Sequence, residues 1–183
     1  PPEDRKPTSQ EIKRYSTFLK EHISIINPKI VILFGSTAME AATSSNKNDQ
    51  INELKKLINS IQNCNLKDNS KKLILGDGNL DSSIMVIGEA PGLEEEKTNK
   101  TFQGEAGVLL EKMLLAINIK IEKTYLTYSI NFKTPEDRKP TAQEIKRYSS
   151  FLKEHISIIN PKIVILMGST AMEAVTGLTD KIT

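Results

Sequence analysis

The chain is 183 residues long, 38% hydrophobic and 26% charged. That gives room for one domain with a real core rather than two full ones, with the composition of a globular protein. A net charge of +2 permits nucleic acid without demanding it, no apolar run is long enough to span a membrane, and the lone cysteine, Cys64, excludes an internal disulfide and suits a reducing cytoplasm.

The first residues, Pro1 to Lys6, do not read as a signal peptide; they open a repeat. Residues 2–43 return as residues 135–176 with four differences: Ser9/Ala142, Thr17/Ser150, Phe34/Met167 and Ala42/Val175. Two copies separated by unrelated sequence do not make a stacked solenoid. They read as a partial duplication or a join in the gene sequence. The first copy opens in mid-loop with no strand ahead of it, which favours the join. In the second copy Ile145, Tyr148, Phe151, Leu152, Ile156 and Ile159 make a helical stripe over Gln143 to Ile159. Thr141 with Glu144 is a capping-box pattern, and Pro161 stops the helix. Ile163 to Leu166 reads as a buried strand closed by Gly168. The first copy predicts the same, a helix over Gln10 to Ile26 and a strand over Ile30 to Leu33.

Residues 44–50 are polar and aperiodic and read as a linker. Ile51, Leu54, Leu57, Ile58 and Ile61 mark an amphipathic helix, and Cys64 to Gly78 is a loop with a short strand at Lys72 to Leu75. Ile84 to Ile87 reads as a short buried strand ended by Gly88, and Pro91 and Gly92 force a turn. Glu94, Glu95 and Glu96 follow, and Gly104 and Gly107 flank the start of an apolar helix, Val108 to Ile117. Thr124 to Ile130 is a strand by composition, and Asn131 to Thr141 is a loop carrying Lys133, Arg138 and Lys139. Strands alternating with helices indicate an α/β fold, a short central parallel sheet between two helix layers (three-layer α/β/α). The organisation is then residues 1–43, a helix-plus-strand copy of 135–176; residues 44–50, a linker; and residues 51–183, the main domain. In open sheets of this kind ligands bind where strands end at the carboxyl edge, which singles out Gly88 to Gly92. No dinucleotide fingerprint or P-loop pattern occurs.

Gly88-Glu-Ala-Pro-Gly92, a gap, and Phe102-x-Gly-x-Ala-Gly107-x-Leu-Leu closely resemble the first two motifs of the family 4 uracil-DNA glycosylases. The resemblance runs from about Ile51 to Leu178. It takes in the strand Tyr125-Leu-Thr127, the loop Pro135-x-Asp-Arg-x-Pro-Thr141 and the segment Asn160-Pro-Lys-Ile-Val-Ile-Leu-x-Gly168. It implies a compact uracil-DNA glycosylase-like α/β/α domain that flips uracil out of DNA and hydrolyses its N-glycosidic bond in base excision repair. Phe102 matches the position that stacks on the flipped base. Amides of the loop Gly88, Glu89, Ala90, Pro91 and Gly92 would meet the negative charge that develops on uracil. Glu89 and Glu95 match the catalytic acidic positions, which set negative charge near the sugar and hold water. Glu94 and Glu96 read as solvated charge. Lys133, Arg138 and Lys139 are candidates for DNA phosphate contact, or equally ordinary solvated loop residues. The partner implied is uracil-containing DNA, with no membrane; the location is the cytoplasm of a bacterial-type cell, at the nucleoid.

Four departures from the family pattern bear on this. The family holds an iron–sulfur cluster on four cysteines. The matching positions are Ile61, Cys64, Phe132 and Tyr148, so no cofactor is expected and packing is expected to replace the cluster. The base-binding Asn after Tyr-x-Thr is Tyr128, whose phenol lacks the donor–acceptor pair of an amide. The Asn before the loop Arg is Asp137. The family's last strand and His-Pro loop have no counterpart, so the 51–183 domain reads as C-terminally incomplete. His22 and His155, mid-helix in the two copies, read as surface residues and not as substitutes for that His. The strand at Ile163 is then an exposed edge, and that edge or the duplicated segment offers a route to self-association. The alternative function is a catalytically impaired, nucleic-acid-binding remnant of the family.

Overall fold

Four short strands carry the core of residues 51–183: β1 (Gly76–Gly78), β2 (Ile84–Gly88), β3 (Tyr125–Tyr128) and β4 (Ile163–Leu166), in the sheet order β1-β3-β2-β4. The structure is a computed structural model, and it describes residues 5–26, 28, 31–32, 34, 36–38 and 46–178. The chain divides into two units, Pro1–Gln50 and Ile51–Thr183. The helices are α1 (Ser9–Ile26), α2 (Lys47–Asn59), α3 (Asn65–Asn69), α4 (Leu93–Thr98), α5 (Glu105–Ala116), α6 (Ala142–Ile159) and α7 (Ser169–Thr176). Among the described residues no helix is long and apolar enough to cross a membrane.

The sheet is mostly parallel. β3 and β4 both run parallel to β2, with Val86 opposite Leu126 on one side and Ile165 on the other. The period-two alternation of a strand then sorts β2 between two cores. Met85 and Ile87 join Leu54, Ile58, Tyr148 and Leu152, so α2, α6 and α7 cover that face. Val86 joins Leu110 and Leu114 of α5 on the other. The expected α/β layering is therefore present. β4 ends the sheet order, with Ile163 more than half exposed.

Some boundaries differ from expectation for identifiable reasons. α2 starts at Lys47, inside the stretch read as linker, because Asn46 Oδ1 caps the Asp49 N–H at 2.9 Å. The strand expected at Lys72 to Leu75 is displaced to Gly76–Gly78 and is antiparallel to β3. Along the apolar run one backbone bond, from the Ile74 N–H to the Asn131 carbonyl at 2.8 Å, is joined by side chains: Thr127 Oγ1 donates to the Leu75 carbonyl at 2.6 Å, and Asn131 Nδ2 donates to the carbonyls of Ile74 and Leu75. Of the strand expected at Ile30 to Leu33, only Val31 and Ile32 are described, and neither is in a strand.

α6 carries its expected cap. Glu144 N–H donates to Thr141 Oγ1 at 3.2 Å, and Thr141 N–H donates back to Glu144 Oε2 at 2.7 Å. Its buried stripe is Ile145, Tyr148, Leu152, His155 and Ile159. His155 corrects the surface reading. It lies one turn above Leu152 on the inner face, edge-on to Tyr125, with Nε2 2.9 Å from the Tyr125 hydroxyl. Burial lowers its pKa to about 4, so the ring is neutral near pH 7. In the other unit His22 is exposed, as expected.

Candidate active site

Two loops meet at the carboxyl ends of β2 and β3, one leaving β2 and the other joining α4 to α5. The first runs from Gly88 to Gly92 into α4, and the second from Thr101 to Gly104 into α5. A single buried carboxylate joins them. Glu95 Oε2 accepts the Gly92 N–H at 2.9 Å, and Oε1 accepts the N–H groups of Gln103 and Gly104 at 2.8 and 3.2 Å. Charge-assisted bonds of this kind are about twice as strong as neutral ones, so Glu95 fixes the separation of the loops. Gly107 has to be glycine for the same reason: a Cβ there would run into the Phe102 carbonyl.

Phe102 stands at positive φ, +51°, and its ring stacks on Tyr128, the last residue of β3. The centroids are 4.9 Å apart and the planes 22° from parallel. The Phe102 N–H also donates to the Tyr128 hydroxyl at 2.7 Å. Burial, with the Glu95 carboxylate and Asp77 adding to it, raises the Tyr128 pKa against the pull of that N–H. Both rings crowd Gly88, where an added Cβ would lie 2.9 Å from each. Phe102 also borders a cleft of about 540 Å³ walled by Asp77, Thr101, Gln103, Val108 and Leu126.

Glu89 is half-buried just beyond β2, and Thr170 Oγ1 donates to its Oε2 at 2.6 Å. Thr170 sits in the first turn of α7, where β4 delivers it. Sequence reading missed it. The signal was Gly168-Ser-Thr170 just past the carboxyl end of an apolar strand, the same edge of the sheet at which Glu89 follows β2. Glu94 is exposed and pairs with Lys97, but Glu96 corrects the solvated reading. It is buried, with Oε1 accepting from Ser70 Oγ at 2.8 Å and the Lys71 N–H at 2.6 Å. Burial alone would raise its pKa. Those bonds, with the charges of Lys133 and Lys71, hold it below the ordinary value instead.

The loop before α6 forms a second group. Lys133 Nζ pairs with Asp137 Oδ1 at 2.9 Å, and Arg138 makes a bidentate pair with Glu144 at 2.9 and 2.7 Å. The hydrogen bonds from Arg138 hold the Glu144 pKa to about 2. Lys139 is exposed. The polar partners of Asp137 and Arg138 are thus Lys133 and Glu144, not the Phe102 wall.

The model of a protein family, the uracil DNA glycosylase superfamily, matches residues 1–70 and 75–182. The chain belongs to that superfamily. It is 38% identical over 109 residues to a type-4 uracil-DNA glycosylase of Thermotoga maritima, covering 60% of this chain and 57% of the relative. With type-4 uracil-DNA glycosylases of Archaeoglobus fulgidus and Pyrobaculum aerophilum the identities are 29% over 132 residues and 27% over 124. Those matches cover 72% and 68% of this chain, and 66% and 63% of the relatives. The chain thus spans less than two thirds of the length of these curated relatives.

Within this superfamily member, the four positions matched to cluster cysteines share one core. Cys64 Sγ lies 3.3 Å from the Tyr148 hydroxyl, Phe132 meets Tyr148 edge-on at 6.3 Å, and Ile61 packs against the same cluster of side chains. One thiol bonded to a phenol, among buried rings, does not fit a four-thiolate cluster. Among the described residues no group of three or more His, Cys, Asp or Glu side chains is placed to hold a metal ion.

Proposed function

We propose that this chain is a uracil-DNA glycosylase that hydrolyses the bond between uracil and deoxyribose after flipping the base from DNA. The observation that carries the reading is the convergence, at the carboxyl ends of parallel β2 and β3, of the Gly88–Gly92 loop with the Phe102 wall, joined by Glu95. As the glycosidic bond breaks, its electron pair leaves with uracil and positive charge grows on the sugar. Water then adds to the sugar carbon, and the proton it gives up neutralises the departed uracil anion. Glu89 is suited to the sugar side, where its carboxylate stabilises that charge and orients the water, with Thr170 fixing its rotamer. Glu95 acts as a positioning residue through the loops that it joins. Pro91 has no N–H and the Gly92 N–H is given to Glu95, so amide donation to the base falls to Glu89 and Ala90.

Lys139 is the simplest phosphate contact. Lys133 and Arg138 reach phosphate by exchanging Asp137 and Glu144 for it. We take the chemistry to need no cofactor. The lone buried thiol and the DNA substrate suit the cytoplasm, at the nucleoid. The test is uracil release from a single-stranded uracil-containing oligonucleotide. Activity that falls about a hundredfold or more in Glu89→Ala is expected; a folded chain that releases no uracil overturns the reading. A second reading, a member that binds DNA without cutting it, is favoured by the Tyr128 ring on Phe102. Salt-sensitive DNA binding with no release would establish it.

A further inference from the structure

The Phe102 wall already has a planar occupant. The Tyr128 ring lies on it in offset-stacking geometry, 4.9 Å between centroids and 22° between planes. That is the contact by which proteins hold an unstacked nucleobase on an aromatic side chain. The ring sits at the carboxyl end of β3, where open α/β sheets place their ligands. Three features hold it there. Gly88, with no Cβ, leaves it room. The Phe102 N–H is bonded to its hydroxyl at 2.7 Å. Glu95 in turn fixes the Phe102 loop through Gln103 and Gly104.

We propose that Tyr128 is a built-in occupant of the base slot, and that a pyrimidine reaches the face of Phe102 only when the Tyr128 ring swings off it. Tyr128 thereby sets both access and specificity. The identity of the ligand as a pyrimidine base rests on the glycosylase reading; the occupied slot rests on the ring geometry. Because the competent state is a minor one, apparent affinity falls by the fraction of chains that are open. A base small enough to share the opened slot with the displaced phenol is favoured over a purine.

The test uses the full chain as wild type, Tyr128→Ala, Tyr128→Asn and Tyr128→Phe, each checked by circular dichroism. The probe is free uracil, followed by NMR contacts to the Phe102 ring. Tyr128→Ala and Tyr128→Asn are expected to bind about tenfold or more tightly than wild type. Either variant suffices if the other does not fold. Tyr128→Phe keeps the ring but loses the bond to the Phe102 N–H, and is expected to fall between wild type and Tyr128→Ala. Equal uracil affinity in wild type and in a folded Tyr128→Ala or Tyr128→Asn overturns the proposal. So does uracil bound from the Gln103 and Val108 side with the Tyr128 stack intact. Oligonucleotide cleavage is read separately. Opened variants that bind uracil yet release none from DNA would overturn the glycosylase reading and leave the role of Tyr128 standing.

Discussion

α1 and α6 are the same helix written twice and buried differently. Each spans 18 residues, and they differ only at Ser9/Ala142 and Thr17/Ser150. Their caps share the same reciprocal pair of bonds. Thr8 and Glu11 make the pair that Thr141 and Glu144 make, and Arg5 clasps Glu11 as Arg138 clasps Glu144. The stripes then part company. Tyr148 is 1% exposed and Tyr15 61%; Ile159 is 0% exposed and Ile26 71%. Helix and cap follow from bonds made within about four residues, so both copies have them. Burial belongs to what stands opposite. For α6 that is the core around β2 and α2.

The largest expected effect tests that division directly. Tyr148→Ala removes a buried ring that touches Phe132 and Cys64 and should lower the stability of the 51–183 unit by about 3–5 kcal/mol in a urea melt. Tyr15→Ala should change stability by no more than about 0.5 kcal/mol. Equal losses would mean that the two stripes are used alike and would break the comparison.

His155 gives the next effect. The folded pKa of His155 is about 4, below its ordinary value of 6.5. Between these values the unfolded chain binds the proton and the folded chain does not, so stability is lost as pH falls from 6.5 toward 4. A lowering of this size is worth about 3 kcal/mol at the acid end. Melts across that window should flatten in His155→Gln. A slope that survives in His155→Gln would place the titrating group elsewhere.

Those predictions show where sequence reading reached and where it stopped. The α6 stripe, its Thr141 cap, the β2 strand and the Gly88–Gly92 turn were legible because each is a pattern of near neighbours. His155, Glu96 and Tyr128 were not, because each is defined by a partner far along the chain: Tyr125, Ser70 and Lys71, and Phe102. Glu96 shows the point most plainly. It stands between Glu95 and Lys97 in an acidic run that reads as solvent-facing, yet the first turn of α4 rolls it inward onto the Ser70 hydroxyl and the Lys71 N–H. The same limit holds for β1, whose place is set by Thr127 and Asn131.

The smallest effect concerns the shared part, the cap. Thr141→Ala should cost about 1 kcal/mol, a typical loss for an N-cap hydroxyl. The same change at Thr8 removes the same local bond, in a helix that buries Ile12 and Ser16 but exposes Tyr15, Phe18, Ile25 and Ile26. Thr8→Ala should therefore show mainly as faster amide exchange in the first turn of α1, with the urea midpoint of the 51–183 unit unmoved. Acid sharpens the contrast. The carboxyls of Glu11 and Glu144 are both held to about 2, each chiefly by the hydrogen bonds from its arginine. A depressed carboxyl pKa contributes stability that is complete above its ordinary value near 4.5 and is lost as pH falls toward 2. Both first turns should loosen in that window, since both caps are built alike. The loosening at Glu144 should carry into unfolding of the 51–183 unit, because α6 is packed into the sheet's core. Loss of exchange protection at the first turn of α6 with no change in the urea midpoint of the 51–183 unit would show that the cap is not coupled to the core.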